Sequence, residues 1–492
     1  MGNRSNRLNA LSFATLLAFG ACAFAPAYAG GKANLSSLDD GSRAFGRFVV
    51  TYRPGTAPRT DAAALARSLD KAATVLGQAE LGRLRRTASG ADVVVSSRAL
   101  NYAEAAALMR KLAADPNVLS VDNDVRMVPL MTPNDTRFGE QFGYGSGAGG
   151  IRATSAWDAT QGAGAVVAVI DTGITAHSDL NANIVGGYDF ISLLTGTDAQ
   201  RYGANLVAVD GDGRDANPAD TGDWNDNFNA YIDFGCPIYG NSTWHGTHVT
   251  GTVAAATNNG KGVAGTAPSA KVVPVRVLGR CGGFASDIAD AITWASGGAV
   301  SGVPANPNVA DVINLSLGSA APVACPQAYK DAIAGAVARG TVVVAAAGNS
   351  NADVDTAKDA KGAVVGYNLA NCGNLIVVGA TDSRGARSGF SNFGASVDVA
   401  APGSGIVSTI NTGSRTPAGE GYKAYDGTSM AAPHVAGVAA LVQSVAKTPL
   451  TQAQMRTLLK NTARAFPVSP GAKPIGAGIV DANAAVNAAK AL

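Results

Sequence analysis

The chain has 492 residues, 47% of them apolar and 15% charged, which excludes wholesale disorder and leaves enough apolar surface for a sizeable core. Thirty-eight basic against 36 acidic residues give a net charge of +2, without the clustered basic excess of a nucleic-acid binder. Sixty glycines with no Gly-X-Y period point to tight turns, not to collagen.

The first residues read as an export signal. Arg4 and Arg7 precede an apolar run at 8–23, too short for a stable membrane span, and Ala27-Tyr28-Ala29 has the A-x-A form of a signal-peptidase site. Cleavage after Ala29 is expected. A retained anchor and a lipid on Cys22 are the competing readings. No later stretch reaches about 18 uninterrupted apolar residues, so no membrane span is expected.

Residues 30–131 read as a small α+β unit. Strands are expected at 47–52, 92–96 and 118–125, and helices at 62–76 and 102–114, the second stopped by Asp115-Pro116-Asn117. A linker at 131–134 and a Gly-rich stretch at 143–150 follow, which puts a boundary near 131. From there to 492, β-branched runs at 166–170, 272–277, 312–315, 341–344 and 376–378 alternate with helical patterns at 286–294, 327–339 and 431–445. Strands apolar on both faces fit a mostly parallel sheet covered by helices on both sides, a doubly wound α/β domain. Sites in such domains form beyond the carboxyl ends of the strands.

Three polar motifs fall at those ends. Asp171 closes the run VVAVID and begins Asp171-Thr172-Gly173. His245 opens HGTHVTGT. Ser429 sits in GTSMAAPHVAG at the start of another helix. Taken singly, the Asp reads as a turn residue, the Ser as a helix cap and the His as a buried core residue. Together they supply a nucleophilic hydroxyl, an imidazole base and an orienting carboxylate. In the order Asp, His, Ser, they resemble the three signatures of the subtilisin-like serine proteases. The resemblance runs from about Asn134 to the C-terminus.

The resemblance implies that Ser429 is the nucleophile, His245 the general base and then acid, and Asp171 its orienting partner. Asn349, in AAAGNS, matches the oxyanion-hole Asn, with the Ser429 backbone N–H as second donor. His248 and His434 are then structural. Residues 314–318 resemble the strand that receives extended substrate. Ser316, Leu317 and Gly318, facing Ala346, Ala347 and Gly348, would wall an S1 pocket that holds no carboxylate, which implies a hydrophobic or broad P1 preference. The preceding unit resembles, more loosely, an inhibitory propeptide that assists folding and is removed by self-cleavage. The cut is expected within 128–133, and an ordinary accessory domain is the alternative.

Calcium is the expected ion. Asp179 and the loop 257–263 resemble the two halves of a family calcium site, with ligands from the Asp179 carboxylate, the Asn259 amide and carbonyls of Thr257, Lys261 and Val263, completed by Gln141 or Asp135. Asp210, Asp212, Asp215, Asp220 and Asp223 crowd a second segment that either binds a cation or is a solvated acidic loop. It is not an EF-hand, because Arg214 and Thr221 stand where ligands belong. No organic cofactor is expected.

Beyond Cys22, four cysteines remain: Cys236, Cys281, Cys325 and Cys372. An even number in an exported chain implies two disulfides, for which spacing alone leaves three pairings. The resemblance implies Cys236–Cys281 and Cys325–Cys372. Two matches to G-x-G-x-x-G, from Gly145 and from Gly260, lack the strand-then-helix context of dinucleotide binding. With sixty-odd residues after Ser429, no further domain of ordinary size is expected. The expected protein is a secreted, monomeric serine endopeptidase acting on proteins or peptides. The alternative from another class is a non-catalytic binding protein on a protease scaffold.

Overall fold

The computed structural model describes residues 30–38, 44–125, 132–228, 230–234, 236, 240–367 and 369–492. The signal at 1–29 with Cys22, and the part of the expected cut region up to residue 131, lie outside them. The chain divides into two compact units, Met1–Val128 and Pro129–Leu492.

In the first unit, β1 (Lys32–Asn34), β2 (Phe45–Tyr52), β3 (Leu81–Arg86), β4 (Asp92–Leu100) and β5 (Val118–Asn123) form one sheet in the order β1-β5-β2-β4-β3. Its pairs are antiparallel except β1 with β5. Helices Ala62–Ala73 and Tyr102–Ala113 bury Leu65, Leu69, Leu108 and Leu112 with Phe48, Val50 and Val94 of the sheet. The second helix starts at a capping box, in which Asn101 Oδ1 accepts Glu104 N–H and Glu104 Oε2 accepts Asn101 N–H. β3 was not anticipated. It is an edge strand whose sequence LGRLRR buries only Leu81, so it carries no apolar alternation, and Arg86 pairs at 2.9 Å with the fully buried Asp92 carboxylate.

The second unit holds a seven-stranded sheet. Its strands are β6 (Val166–Asp171), β7 (Tyr188–Asp189), β8 (Lys271–Arg276), β9 (Val312–Leu315), β10 (Val342–Ala346), β11 (Ile376–Thr381) and β12 (Val399–Pro402), in the order β12-β11-β10-β9-β6-β8-β7. Every neighbouring pair is parallel. Side chains alternate between two cores. Val167, Val169, Val342 and Val344 face helices His245–Ala254 and Thr428–Val445, while Ala168, Ile170, Val343 and Ala345 face Ala285–Ala295 and Gln327–Ala338. Burial on both faces is why these strands read as unbroken apolar runs. A hairpin of β13 (Ile406–Asn411) and β14 (Glu420–Tyr425), and helices Gln452–Thr462 and Ala482–Ala489, complete the unit.

From β6 the chain crosses to the edge strand β7 and returns to β8 beside β6, whereas from β9 it builds outward to β12 on the other side. The order therefore reverses between β6 and β9, and a crevice opens beyond their carboxyl ends. Asp171 ends β6, and Ser316 follows β9. Disulfides join Cys236 to Cys281 and Cys325 to Cys372, the pairing that the resemblance implied. Among the described residues, no helix is long and apolar enough to cross a membrane.

Candidate active site

Asp171 is fully buried, and its Oδ1 accepts the Thr172 N–H and faces His245 Nδ1, each at 2.7 Å. Its Oδ2 has no hydrogen-bond partner among the described residues. His245 is the first residue of its helix. The chain turns into that helix through Trp244, which adopts a left-handed φ of 53° and is anchored by its indole N–H to Gly413 O at 2.7 Å. Burial pulls the His245 imidazole down, but the charge and hydrogen bond of Asp171, helped by Asp223 and Asp220, outweigh it and raise the group above its ordinary value. The ring is still 23% exposed, so it remains reachable from the crevice.

Ser429 lies in the first turn of helix Thr428–Val445. Its Oγ donates to Ser316 O at 3.1 Å, while Ser316 Oγ donates to Ser429 O at 2.8 Å. The buried Asn314 steadies this exchange by donating to Ser316 Oγ at 2.9 Å. Asn314 was expected only as the first residue of the substrate-receiving stretch 314–318, and its bond to Ser316 was not anticipated. Asn349 Oδ1 accepts from Thr428 N and Oγ1, so its amide nitrogen is the end left for the crevice.

Two adjoining cavities flank these groups and share Leu317, Gly318, Ser319 and Ala320. One, of about 540 Å³, is lined by His245, Thr172, Asp223 and Ser316, with Leu278, Ile288 and Tyr329 on its apolar side. The other, of about 300 Å³, is lined by Leu317, Gly318, Ala346, Gly348, Asn349, Tyr367 and Ser429. Two expected wall residues differ. Ser316 lines the larger cavity, and the Ala347 side chain points away into the core, as strand alternation after Ala346 requires. Tyr367 was missed because its loop is remote in sequence from every motif.

A subtilase family profile matches residues 162–486. The chain belongs to the subtilase family. It is a subtilisin-like serine protease. It is 54% identical over 451 residues to an extracellular protease of Xanthomonas campestris pv. campestris, covering 90% of this chain and 73% of the relative. It is 42% identical over 455 residues to an extracellular basic protease of Dichelobacter nodosus, covering 90% and 70%. A solved protease structure from Pseudoalteromonas arctica superposes with a TM-score of 0.66 at 49% identity, covering 73% of this chain and all of that one.

The other two histidines of the subtilase's motifs are locked in the interior. His248 Nε2 lies 2.9 Å from Ile406 O and 3.0 Å from Lys423 O, and the ring stacks on Tyr425. Burial pushes it down to about 3. His434 Nδ1 donates to Met430 O at 2.8 Å, and burial pushes it down to about 4.

In the acidic segment the carboxylates turn to partners within the protein. Asp210 pairs with Arg276, Asp215 accepts Asn217 N–H, Asp220 accepts Thr172 Oγ1 and Gly222 N–H, and Asp223 accepts Thr243 N–H and Oγ1. Asp212 is exposed. Each buried carboxylate has its own protein partners, and no group of three or more His, Cys, Asp or Glu able to hold a metal occurs among the described residues. In the Asp179 loop the two carboxylates are likewise hydrogen-bonded to the protein, here to one short stretch of loop. Asp179 Oδ1 accepts from Asn259 Nδ2 at 2.6 Å and its Oδ2 from Val263 N–H at 2.9 Å, while Asp135 accepts from Asn258 and Asn259 N–H. Burial, with a contribution from the Asp179 charge, raises the Asp135 carboxyl. Gln141 is engaged elsewhere, with Ala264 and Val407, so Asp135 is the side chain that joins the loop.

Proposed function

We propose that this subtilase is a secreted, monomeric endopeptidase that cuts protein and peptide substrates through an acyl-enzyme on Ser429. Residues 30–131 act as its inhibitory propeptide and are removed by self-cleavage, which leaves 132–492 as the catalytic domain. The observation that carries the reading is the 2.7 Å contact between His245 Nδ1 and Asp171 Oδ1 beside cavities that reach Ser429 and Asn349. An imidazole that gives its Nδ1–H to a buried carboxylate keeps Nε2 as an acceptor, the tautomer a general base needs.

An extended substrate lying past β9 would donate a main-chain N–H to Ser316 O, the acceptor that holds Ser429 Oγ at 3.1 Å in the free enzyme. The released hydroxyl then gives its proton to His245 Nε2 and attacks the scissile carbonyl. The oxyanion takes the Asn349 Nδ2 and Ser429 N–H donors, at a helix N-terminus that favours negative charge. His245 passes the proton to the leaving amine, then takes one from the water that hydrolyses the acyl-enzyme. No carboxylate among the described residues lines the smaller cavity, which supports a hydrophobic or broad P1 preference.

Export is supported by the extracellular relatives and by two disulfides, which suit an oxidising compartment. The Asp179 loop suits a structural calcium ion. Two carboxylates converge there, and the Asn259 amide contacts Asp179 through Nδ2 while its Oδ1 accepts Lys261 N–H. Asp135, Asp179, Asn259 and the carbonyls of Thr257, Lys261 and Val263 would hold the ion, which supplies rigidity and no chemistry.

The test is the intact mass of the secreted protein for wild type and Ser429→Ala, with fluorophosphonate labelling of each. A wild-type product that starts near residue 132 and labels, beside a mutant that keeps its N-terminal unit and does not, is expected. Identical masses together with absent labelling would overturn the reading in favour of a non-catalytic scaffold.

A further inference from the structure

The acidic segment is wired to the base. Asp220 is 2% exposed, and its Oδ2 accepts the Thr172 hydroxyl at 2.7 Å. The same Thr172 oxygen accepts Gly246 N–H at 2.9 Å, while Thr172 N–H donates to Asp171 Oδ1 at 2.7 Å. One threonine therefore touches the triad carboxylate, the first turn of the base's helix and a carboxylate outside the triad. A hydroxyl has one proton. With that proton committed to Asp220, only lone pairs face Gly246 N–H, one of the helix-start donors that have no acceptor inside the helix.

The backbone holds this arrangement closed. Ile174 exchanges hydrogen bonds with the segment, from Asp220 N–H to Ile174 O at 2.8 Å and from Ile174 N–H to Pro218 O at 3.0 Å. Gly173 has a φ of 97°, and a Cβ there would stand 2.5 Å from Pro218 O. A Cβ on Gly246 would stand 2.3 Å from Gly173 O, so the helix start rests directly on the turn after β6. Asp223 ties down the other flank, accepting Thr243 N–H at 2.6 Å and Thr243 Oγ1 at 2.7 Å, two residues before His245.

We propose that Asp220, acting through Thr172, is a positioning residue for His245. It fixes the Thr172 hydroxyl as the acceptor of Gly246 N–H, and so sets where the imidazole stands between Asp171 and Ser429. This rests on His245 being the general base. Without Asp220 the hydroxyl proton is free to swing toward Gly246 N–H, where it turns an acceptor into a clash of donors and releases the helix start.

The experiment compares mature wild type with Thr172→Val, Thr172→Ser, Asp220→Ala and the double variant Thr172→Val/Asp220→Ala in peptide hydrolysis. In parallel, the low-field proton resonance of His245 Nδ1–H is recorded in a Ser429→Ala background, which needs no activity. Displacing the base by a fraction of an ångström predicts that Thr172→Val and Asp220→Ala each lower kcat by about 10–100-fold with KM within about twofold. Thr172→Ser is expected to match wild type, and the double variant to be no worse than the poorer single one, because both remove one link. The low-field resonance should shift in Thr172→Val and stay in Thr172→Ser. An unshifted resonance and an unchanged kcat in Thr172→Val would overturn the proposal, as would losses that multiply in the double variant. Should wild type fail to label with fluorophosphonate, the catalytic reading falls, while the resonance still decides whether Thr172 positions the imidazole.

Discussion

Thr428 gives both its backbone N–H and its hydroxyl to Asn349 Oδ1, each at 2.8 Å. A carbonyl oxygen with both lone pairs engaged leaves the amide only one orientation, with Nδ2 toward the cavity that Ser429 lines. The donor is thus held in place before any charge develops, which is what transition-state stabilisation requires. Asn349→Ala is expected to lower kcat by about 10²–10³-fold with little change in KM, the size of loss that subtilisin suffers at its own oxyanion Asn. Thr428→Val removes one of the two anchors and is expected to cost about five- to tenfold, the worth of one ordinary hydrogen bond, with Thr428→Ser near wild type. Steady-state kinetics on one peptide substrate separate these cases, and a loss carried mainly in KM would contradict the assignment.

The pH profile follows from His245. Its neutral form is the one that accepts the Ser429 proton. Because Asp171, with Asp223 and Asp220, raises the imidazole despite its burial, protonation persists to higher pH than in a free histidine, whose pKa is about 6.5. The acid limb of kcat/KM should therefore lie above that value. Asp171→Asn removes the strongest raising influence, so the limb should move to lower pH while kcat falls by about 10⁴-fold. A limb that stays put in Asp171→Asn would show that another group governs it.

The polar motifs were legible in the sequence because each sits where a strand or helix begins or ends, and such positions are marked by abrupt changes of periodicity. Asp171 follows five apolar residues, and Ser429 lies in the first turn of a helix that is almost wholly buried. What the sequence hid were supports with no pattern of their own. The bond from Asn314 to Ser316 leaves no mark in the stretch 314–318, Tyr367 comes from a loop outside the motifs, and β3 and β14 are edge strands whose exposed side chains show no apolar alternation. The partners of the acidic segment were hidden for a related reason. Its spacing resembles a cation loop, but its carboxylates turn to Arg276, Thr172 and Thr243, partners 20 to 66 residues away. Pairings of that kind are set by the tertiary fold and leave no local signal.

Calcium dependence separates the two acidic regions. If the Asp179 loop holds the ion, calcium at about 100 times its Kd stabilises the native state by about 2.7 kcal/mol, and excess chelator removes that increment. Asp135→Asn and Asp179→Asn should each shrink the calcium-dependent rise in Tm. Asp212→Asn, at an exposed residue of the other region, should leave it intact. Scanning calorimetry with and without chelator, in a Ser429→Ala background to prevent autolysis, reads the difference. Equal increments in all four proteins would place the ion elsewhere or nowhere.

The buried histidines predict how stability falls in acid. His248 is held down to about 3 and His434 to about 4, whereas each titrates near 6.5 once the chain unfolds. Between those values the unfolded chain binds more protons than the folded one, so stability rises with pH and is lost as pH drops from about 6.5 toward 4. Each group contributes a slope of about 1.4 kcal/mol per pH unit across that window. The cause is burial, which nothing at Nδ1 offsets among the described residues. His248 Nε2–H is committed to the carbonyls of Ile406 and Lys423, and a second proton on Nδ1 would have no acceptor among the described residues. Denaturant unfolding of the Ser429→Ala protein from pH 4 to 7 should show this decline. In His248→Gln, which can still donate one hydrogen bond but cannot take up a proton, the slope should be shallower by about the share of one histidine. A variant that is less stable at every pH yet keeps the full slope would show that His248 is not a source of the acid sensitivity.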